Sequence, residues 1–253
     1  MYALDGSGAP LTTTCTQFPN AFGCTDYGRV NNNEPVANPY PYTTNTPTVN
    51  FDTDYLLDVV TGEMNPSESP QTAVQAQAIA ARTYSYYHLR QKQLNPNYPK
   101  EINNSTTFQL FVPFRFEKRL GGVFPQNATN PCASNNLTGF QRRLCSAVAD
   151  RRYVSTSGSN EPLHTEFSAD RTTGDTVAGA GGESHMRQVQ DPISAEAGSP
   201  CIYTDQDRTL IASSHGQGIL QRGASRWARG SRCWTADRGN APWSVRWDRA
   251  DQI

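Results

Sequence analysis

The chain has 253 residues, room for one large domain or one and a half. Its 22 Lys+Arg and 23 Asp+Glu nearly cancel, so no global field points to nucleic acid or to a membrane surface. Hydrophobic residues make up 36%, below the ~45–50% usual in globular domains, and no apolar run nears ~18 residues; no membrane span is expected, and much of the chain must be loop.

Met1 to Asp5 carries no signal-peptide core, so the expectation is a mature part or an excised domain. Residues 1–47 are rich in Pro, Asn, Thr and Gly and read as an irregular lead-in packed on the main domain. Val49 to Phe51 resembles a short strand. Asp52 or Thr53 can then cap a helix from near Asp54, with Tyr55, Leu56, Val59 and Val60 on one face. Gly62 falls where a helix C-terminus favours positive φ, and Glu63 follows at once. Asn65 to Ser69 is a turn. Ser69 suits an N-cap and Pro70 the first helical position of a second helix reaching about Gln93, roughly 35 Å at ~1.5 Å per residue. Its centre, Ala73 to Ala81, is slim enough for neighbouring backbone to approach. The two helices form a hairpin with Glu63 at the bend.

Beyond residue 100 the pattern turns to strands: Thr106 to Val112, Ala147 to Val154, Leu163 to Ala169 and Thr209 to Ser213. Gly174 to Gly182 is glycine-rich but lacks GxGxxG spacing, so no nucleotide site is read there. A last helix spans about Gly218 to Arg229. The six cysteines form no CxxC pair, which argues against a zinc knuckle and for an oxidising compartment. Of fifteen connectivities, short loop closure favours Cys15–Cys24 and Cys132–Cys145, leaving Cys201–Cys233. Buried thiols in a cytosolic protein are the alternative.

Three stretches can carry chemistry. Glu63 lies just past a helix C-terminus, where the negative dipole end and apolar neighbours such as Val60 and Met64 both favour a protonated carboxyl, as a general acid needs. Arg82 on the next helix can return to the same cleft, or serve as a salt bridge or backbone cap. In "SSHGQGILQRGASRWARG", Ser213 to Gly230, His215 and Gly216 sit at a strand-to-helix turn with Gln221 one turn on, an arrangement suited to close ligand approach. "EPLHTEFSADRTTGDT", Glu161 to Thr176, offers His164, Glu166, Asp170 and Asp175; alternation puts His164 and Glu166 on one face. Two ligands without a third do not make a metal site, and neither metal nor cofactor is expected. No GxSxG elbow supports serine-hydrolase chemistry.

Taken in order, these stretches resemble the SpoIID/LytB family, named for a stage II sporulation protein and an amidase enhancer. The family's YLxGVVxxEM and ALKAQAVAARTYA appear as "YLLDVVTGEM" and "AVQAQAIAARTYS", and its GHGVGMSQYGA as "SHGQGILQRGA". "FQLFVP", "CSAVADRRYV" and "HMRQVQDP" agree in order. The likeness runs over about residues 49–253, so residues 48–253 form the expected catalytic domain behind the lead-in. Its implied fold class is α+β: a helical hairpin on a mostly antiparallel β region, loop-rich and disulfide-stapled.

The resemblance implies a secreted, periplasmic or cell-wall-facing lytic transglycosylase acting on peptidoglycan glycan strands stripped of stem peptides. Glu63 aligns with the family's catalytic acid/base, Arg82 with the Arg of AARTY and His215 with the His of GHG. Arg82, His215, Gly216 and Gln221 would contact substrate. Tyr84, Trp227 and Trp234 could stack on sugars or fill the core. Departures are the longer turn "FSADRTTGDT", in which Ser168 replaces a His, and Arg222 in place of an aromatic. A LytB-type reading makes the chain a non-catalytic glycan binder that stimulates an amidase; a third makes it a disulfide-rich surface module with no glycan affinity.

Overall fold

Leu56, Leu57, Val59 and Val60 are each no more than 1% exposed in a computed structural model of the chain. They belong to α1, Leu56–Glu63, which is buried on several sides rather than along one stripe. The structure describes residues 51–64, 69–98, 109, 116, 131–135, 137–168, 185–186, 211–212 and 214–229. The lead-in, Cys15–Cys24, Cys201–Cys233, the glycine-rich loop, Trp234 and all of the expected 106–112 strand except Gln109 lie outside them. Contacts divide the chain into two units, Met1–Ser67 with Val74–Thr165 and Glu68–Ala73 with Glu166–Ile253.

In the first unit a π-helical turn, Phe51–Tyr55, leads into α1. Phe51 is thus helical rather than the end of a strand. Its ring packs 5.6 Å from Tyr55 and 5.1 Å from Tyr86. Neither Asp52 nor Thr53 caps α1: the N-cap position is Tyr55, without a side-chain bond. Asp58 is also buried, and its carboxylate accepts the Phe116 N–H at 2.9 Å. Gly62 and Glu63 are both still helical, and α1 ends at extended Met64. Positive φ is therefore not used there.

The second helix, α2, covers Gln71–Leu94, close to the expected span. Its interior holds an unusual share of polar side chains: Gln77, Arg82, Thr83 and Ser85 have no exposed surface. Most buried polar groups are partnered, but the Gln77 amide nitrogen and oxygen have no hydrogen-bond partner among the described residues. Thr83 bonds back to the Ile79 carbonyl at 2.6 Å, and the Ser85 hydroxyl lies 3.0 Å from the Ala81 carbonyl. Ala80 and Ala81 are themselves almost fully buried. Their carbonyls take outside donors as well, Thr165 Oγ1 at 2.9 Å and Gln109 Nε2 at 2.8 Å.

The third helix, α3, spans Gly139–Ala149 and corrects the strand expected from Ala147 to Val154. A capping box opens it: Thr138 Oγ1 accepts from the Gln141 N–H while Gln141 Oε1 accepts from the Thr138 N–H. Gln141, Leu144, Ala147 and Val148 form its buried face. The Cys132–Cys145 disulfide is present, with Cα atoms 5.6 Å apart, and ties α3 to a 3₁₀ turn at Pro131–Ala133. Beyond α3 the chain runs extended, then doubles back through an antiparallel bridge, Ser155 to Pro162, with Gly158 at φ +78° in the turn.

Arg82 holds these pieces together. Its guanidinium donates to the carbonyls of Val148 and Asp150, both at 2.5 Å, and Arg152 at 3.2 Å, and pairs with Asp52 at 3.2 Å. Val148 is in the last turn of α3, so a buried cation caps that helix's C-terminus, where carbonyls lack intrahelical donors and the dipole is negative. Asp52, expected to cap α1, is drawn to this cation instead.

The second unit contains a two-stranded parallel pair, β1 at Phe167–Ser168 and β2 at Ile219–Leu220, in register Phe167↔Ile219. Among the described residues the named sheet is therefore parallel, where mostly antiparallel pairing was expected. A connection of about fifty residues between the strands leaves room for a crossover. Ile211 and Ala212 are helical rather than extended. The last helix, α4, is Gln221–Arg229; it starts three residues late because Ile219 and Leu220 are taken by the ladder. Ser225 of α4 bonds the Ser69 hydroxyl at 3.0 Å, so Ser69 binds here rather than only preceding α2. The chain is thus a mixed helix and sheet fold with one disulfide among the described residues.

Two stability measurements follow. Arg82→Ala leaves three carbonyls and Asp52 without their donor and is expected to lose about 3–5 kcal/mol, with Arg82→Lys recovering part because it keeps the charge without the planar fork. Chemical denaturation reads this; an unchanged midpoint would remove Arg82 as the anchor. Replacing Cys132 and Cys145 together by Ser is expected to cost about 3 kcal/mol, from the entropy of the loop they close. Wild-type protein under reductant should lose at least as much, and equal stability with and without reductant would contradict it.

Candidate functional site

Glu63 closes the last turn of α1. Val59 and Val60 have no exposed surface and Met64 has 4%, whereas Glu63 itself is half-buried, so its carboxylate meets both apolar surroundings and solvent. Met64 N–H bonds the Val60 carbonyl at 3.0 Å, which fixes the chain direction leaving the helix.

Two turns earlier, Tyr55 donates its hydroxyl to Gln109 Oε1 at 2.7 Å. Ser85 donates to the same oxygen at 2.9 Å, and Gln109 Nε2 reaches the Ala81 carbonyl. Burial pushes the Tyr55 phenol far above its ordinary range, and the negative charge of Glu63 adds a small push in the same direction. Glu63 is therefore within electrostatic reach of a phenol that stays protonated and keeps donating. Sequence reasoning did not single out Tyr55, Ser85 or Gln109. The available signal was a Gln inside the apolar run "FQLFVP", since a polar side chain in such a run needs a buried partner.

The other carboxylates described in this unit hold structural positions. Asp52 binds Arg82, Asp58 binds backbone, Asp150 binds Arg152 and Glu161 binds Arg90 in a two-point pair at 2.8 Å. The guanidinium partners hold Asp150 and Glu161 below the usual carboxylate range. Arg82 has no exposed surface, and its two terminal nitrogens face carbonyls and Asp52, the salt bridge and backbone cap. Tyr84 is 5% exposed, edge-on to His88 at 4.3 Å. It belongs to the core.

His215, Gly216 and Gln221 belong to the second unit. His215 is exposed, Gly216 is buried at φ +70° and Gln221, the first residue of α4, is 8% exposed. The His215 loop is separated from α4 by β2, so the turn runs loop–strand–helix. Its imidazole Nδ1 accepts the Gln217 N–H at 3.1 Å and lies 3.6 Å from Glu166 Oε2. His164 and Glu166 do not share a face: residues 163–166 are not in a strand, and His164 stacks on Tyr87 at 4.7 Å in the first unit. Ser168 is buried and its hydroxyl has no hydrogen-bond partner among the described residues. Among the described residues no three His, Cys, Asp or Glu side chains gather as a metal cluster, and no helix is long and apolar enough to cross a membrane.

A similarity to curated proteins is short. An uncharacterized protein of Brachyspira hyodysenteriae is 41% identical over 58 residues, 23% of this chain and 15% of that protein. The chain therefore spans only a small part of that relative's length. The family model SpoIID, described as stage II sporulation protein, matches residues 43–138, a stretch that contains the π-helical turn, α1 with Glu63, and α2 with Arg82. Residues 43–138 of the chain are therefore similar to the SpoIID family.

Proposed function

We propose that the chain is a peptidoglycan lytic transglycosylase that cleaves the MurNAc–GlcNAc bond of peptide-stripped glycan strands, with Glu63 as its single acid and base. The family is linked to the cell wall and to sporulation, which supplies the substrate class. The observation that carries the reading is the position of Glu63, half-buried at the end of α1 inside the family-matched stretch, while the neighbouring acids serve structural pairs. The Cys132–Cys145 disulfide supports a wall-facing, oxidising location.

The chemistry needs one carboxyl group. Glu63 donates its proton to the glycosidic oxygen, and the C1–O bond breaks to release the GlcNAc hydroxyl. The N-acetyl group of MurNAc shields the oxocarbenium-like C1. The Glu63 carboxylate then takes the proton of the MurNAc C6 hydroxyl as that oxygen bonds to C1, which closes a 1,6-anhydro ring without water and restores the acid. Arg82 serves by holding the helices rather than by touching sugar. In the second unit, His215, Gly216 and Gln221 are the proposed contacts to sugar hydroxyl and acetamido groups, with exposed His215 the leading one.

Mass spectrometry of digested, peptide-free glycan strands tests this. Wild-type protein should release 1,6-anhydro ends, and Glu63→Gln should lower that release at least ~10²-fold with its melting transition unchanged. Normal release by Glu63→Gln overturns the role. Absence of anhydro ends from both proteins, with stimulation of an amidase retained by Glu63→Gln, would make the chain a LytB-type enhancer instead.

A further inference from the structure

The parallel pair brings Glu166 and the His215 loop together by backbone alone. Register Phe167↔Ile219 sets residue 166 beside residue 218, and the Ile219 N–H donates to the Glu166 carbonyl at 2.9 Å. Gly218 makes this approach possible. It sits at φ +68°, and a Cβ there would lie 1.8 Å from the Glu166 carbonyl oxygen. No side chain fits between the two segments.

The consequence is a contest at one ring nitrogen. His215 Nδ1 faces a donor, the Gln217 N–H at 3.1 Å, and an acceptor, Glu166 Oε2 at 3.6 Å. It can satisfy only one of them at a time. With a neutral ring, the Nδ1 lone pair accepts from Gln217 and the proton resides on Nε2. With a charged ring, Nδ1 carries a proton. It then repels the Gln217 N–H and attracts the carboxylate, and a charge-assisted bond would draw the pair to about 2.8 Å. Among the described residues, Glu166 from the β1 segment and the Gln217 amide from the loop itself are the groups that face this nitrogen. Gly216, at φ +70°, gives the Gln217 peptide backbone freedom to turn.

We propose that Glu166 is a positioning residue for His215, forming with it a proton-operated latch in which the carboxylate captures the charged ring and the Gln217 amide is released. Neutral His215 is held to its own loop; charged His215 is held to the β1 segment. The two states present different Nε2 directions to a ligand. Its bearing on glycan binding rests on the reading of His215 as a sugar contact, but the latch itself does not.

The test uses the full chain, labelled with ¹⁵N. The Gln217 amide resonance and its hydrogen-exchange rate are followed between pH 7.5 and pH 6. In wild type the resonance should move and the protection of the amide, its exchange rate compared with the intrinsic rate at each pH, should fall on acidification, as the amide loses its acceptor. Glu166→Gln should move the midpoint of both responses to lower pH, because an uncharged amide does not favour the charged ring. Glu166→Asp, which keeps the charge, should bring the midpoint part of the way back, and His215→Asn should abolish both responses. A wild-type amide that does not respond, or equal midpoints in wild type and Glu166→Gln, overturns the latch. Binding of peptide-free glycan strands at the two pH values is measured in parallel. If the amide responds as expected while glycan affinity is absent at both, the latch stands and the glycan reading of the loop fails.

Discussion

A guanidinium sealed from water governs the first unit. Removing a charge from solvent costs several kcal/mol unless its donors are matched; the two terminal nitrogens of Arg82 meet one carboxylate and three carbonyls, while its buried Nε has no partner among the described residues. Because the donors leave a rigid plane in fixed directions, they fix more than a distance. They set the π-helical turn through Asp52, the end of α3 through Val148, and the extended exit through Asp150 and Arg152. The helix that carries Glu63 begins where the Asp52 turn ends and packs on α3. The candidate acid is thus mounted on a frame whose joints meet at one side chain.

This frame accounts for the composition. A chain with 36% hydrophobic residues cannot fill a core with aliphatic groups alone. Here part of the interior is polar and cross-linked: Tyr55, Ser85 and Gln109 share one hydrogen-bonded node, and Asp58 holds the Phe116 amide. Buried polar networks of this kind stabilise little per bond. They strongly penalise any arrangement that leaves a member unpaired, and so they select one geometry.

Some of this was legible in the sequence. Apolar spacing located α1, the Ser69–Pro70 start signal located α2, and loop closure identified Cys132–Cys145, because all three are local properties. The strand read over Ala147 to Val154 failed on a β-like run, Ala-Val-Ala-Asp-Arg-Arg-Tyr-Val, although Thr138 and Gln141 at capping-box spacing marked a helix start upstream. The role of Arg82 was open between substrate and scaffold, since its carbonyl partners lie nearly seventy residues away. For Glu63, position at a helix end was legible and its phenol neighbourhood was not. The nearness of Glu166 to His215 depends on a parallel register across about fifty residues, which no local pattern encodes.

The small residues of α2 have a consequence for how this helix can vary. Ala80 and Ala81 expose their carbonyls sideways to Thr165 and Gln109, so the rest of the unit grips the helix by its main chain. A methyl leaves that handhold open. Replacing Ala81 by Val would suit a hydrophobic core in composition and volume class, yet its extra carbons would crowd the Gln109 amide and dislodge the acceptor that Tyr55 and Ser85 share. At these positions the helix is recognised for the bulk it lacks. Substitutions that look conservative on a hydropathy scale therefore act as changes in shape, felt at the hydroxyl of Tyr55, at the start of the helix that carries the acid.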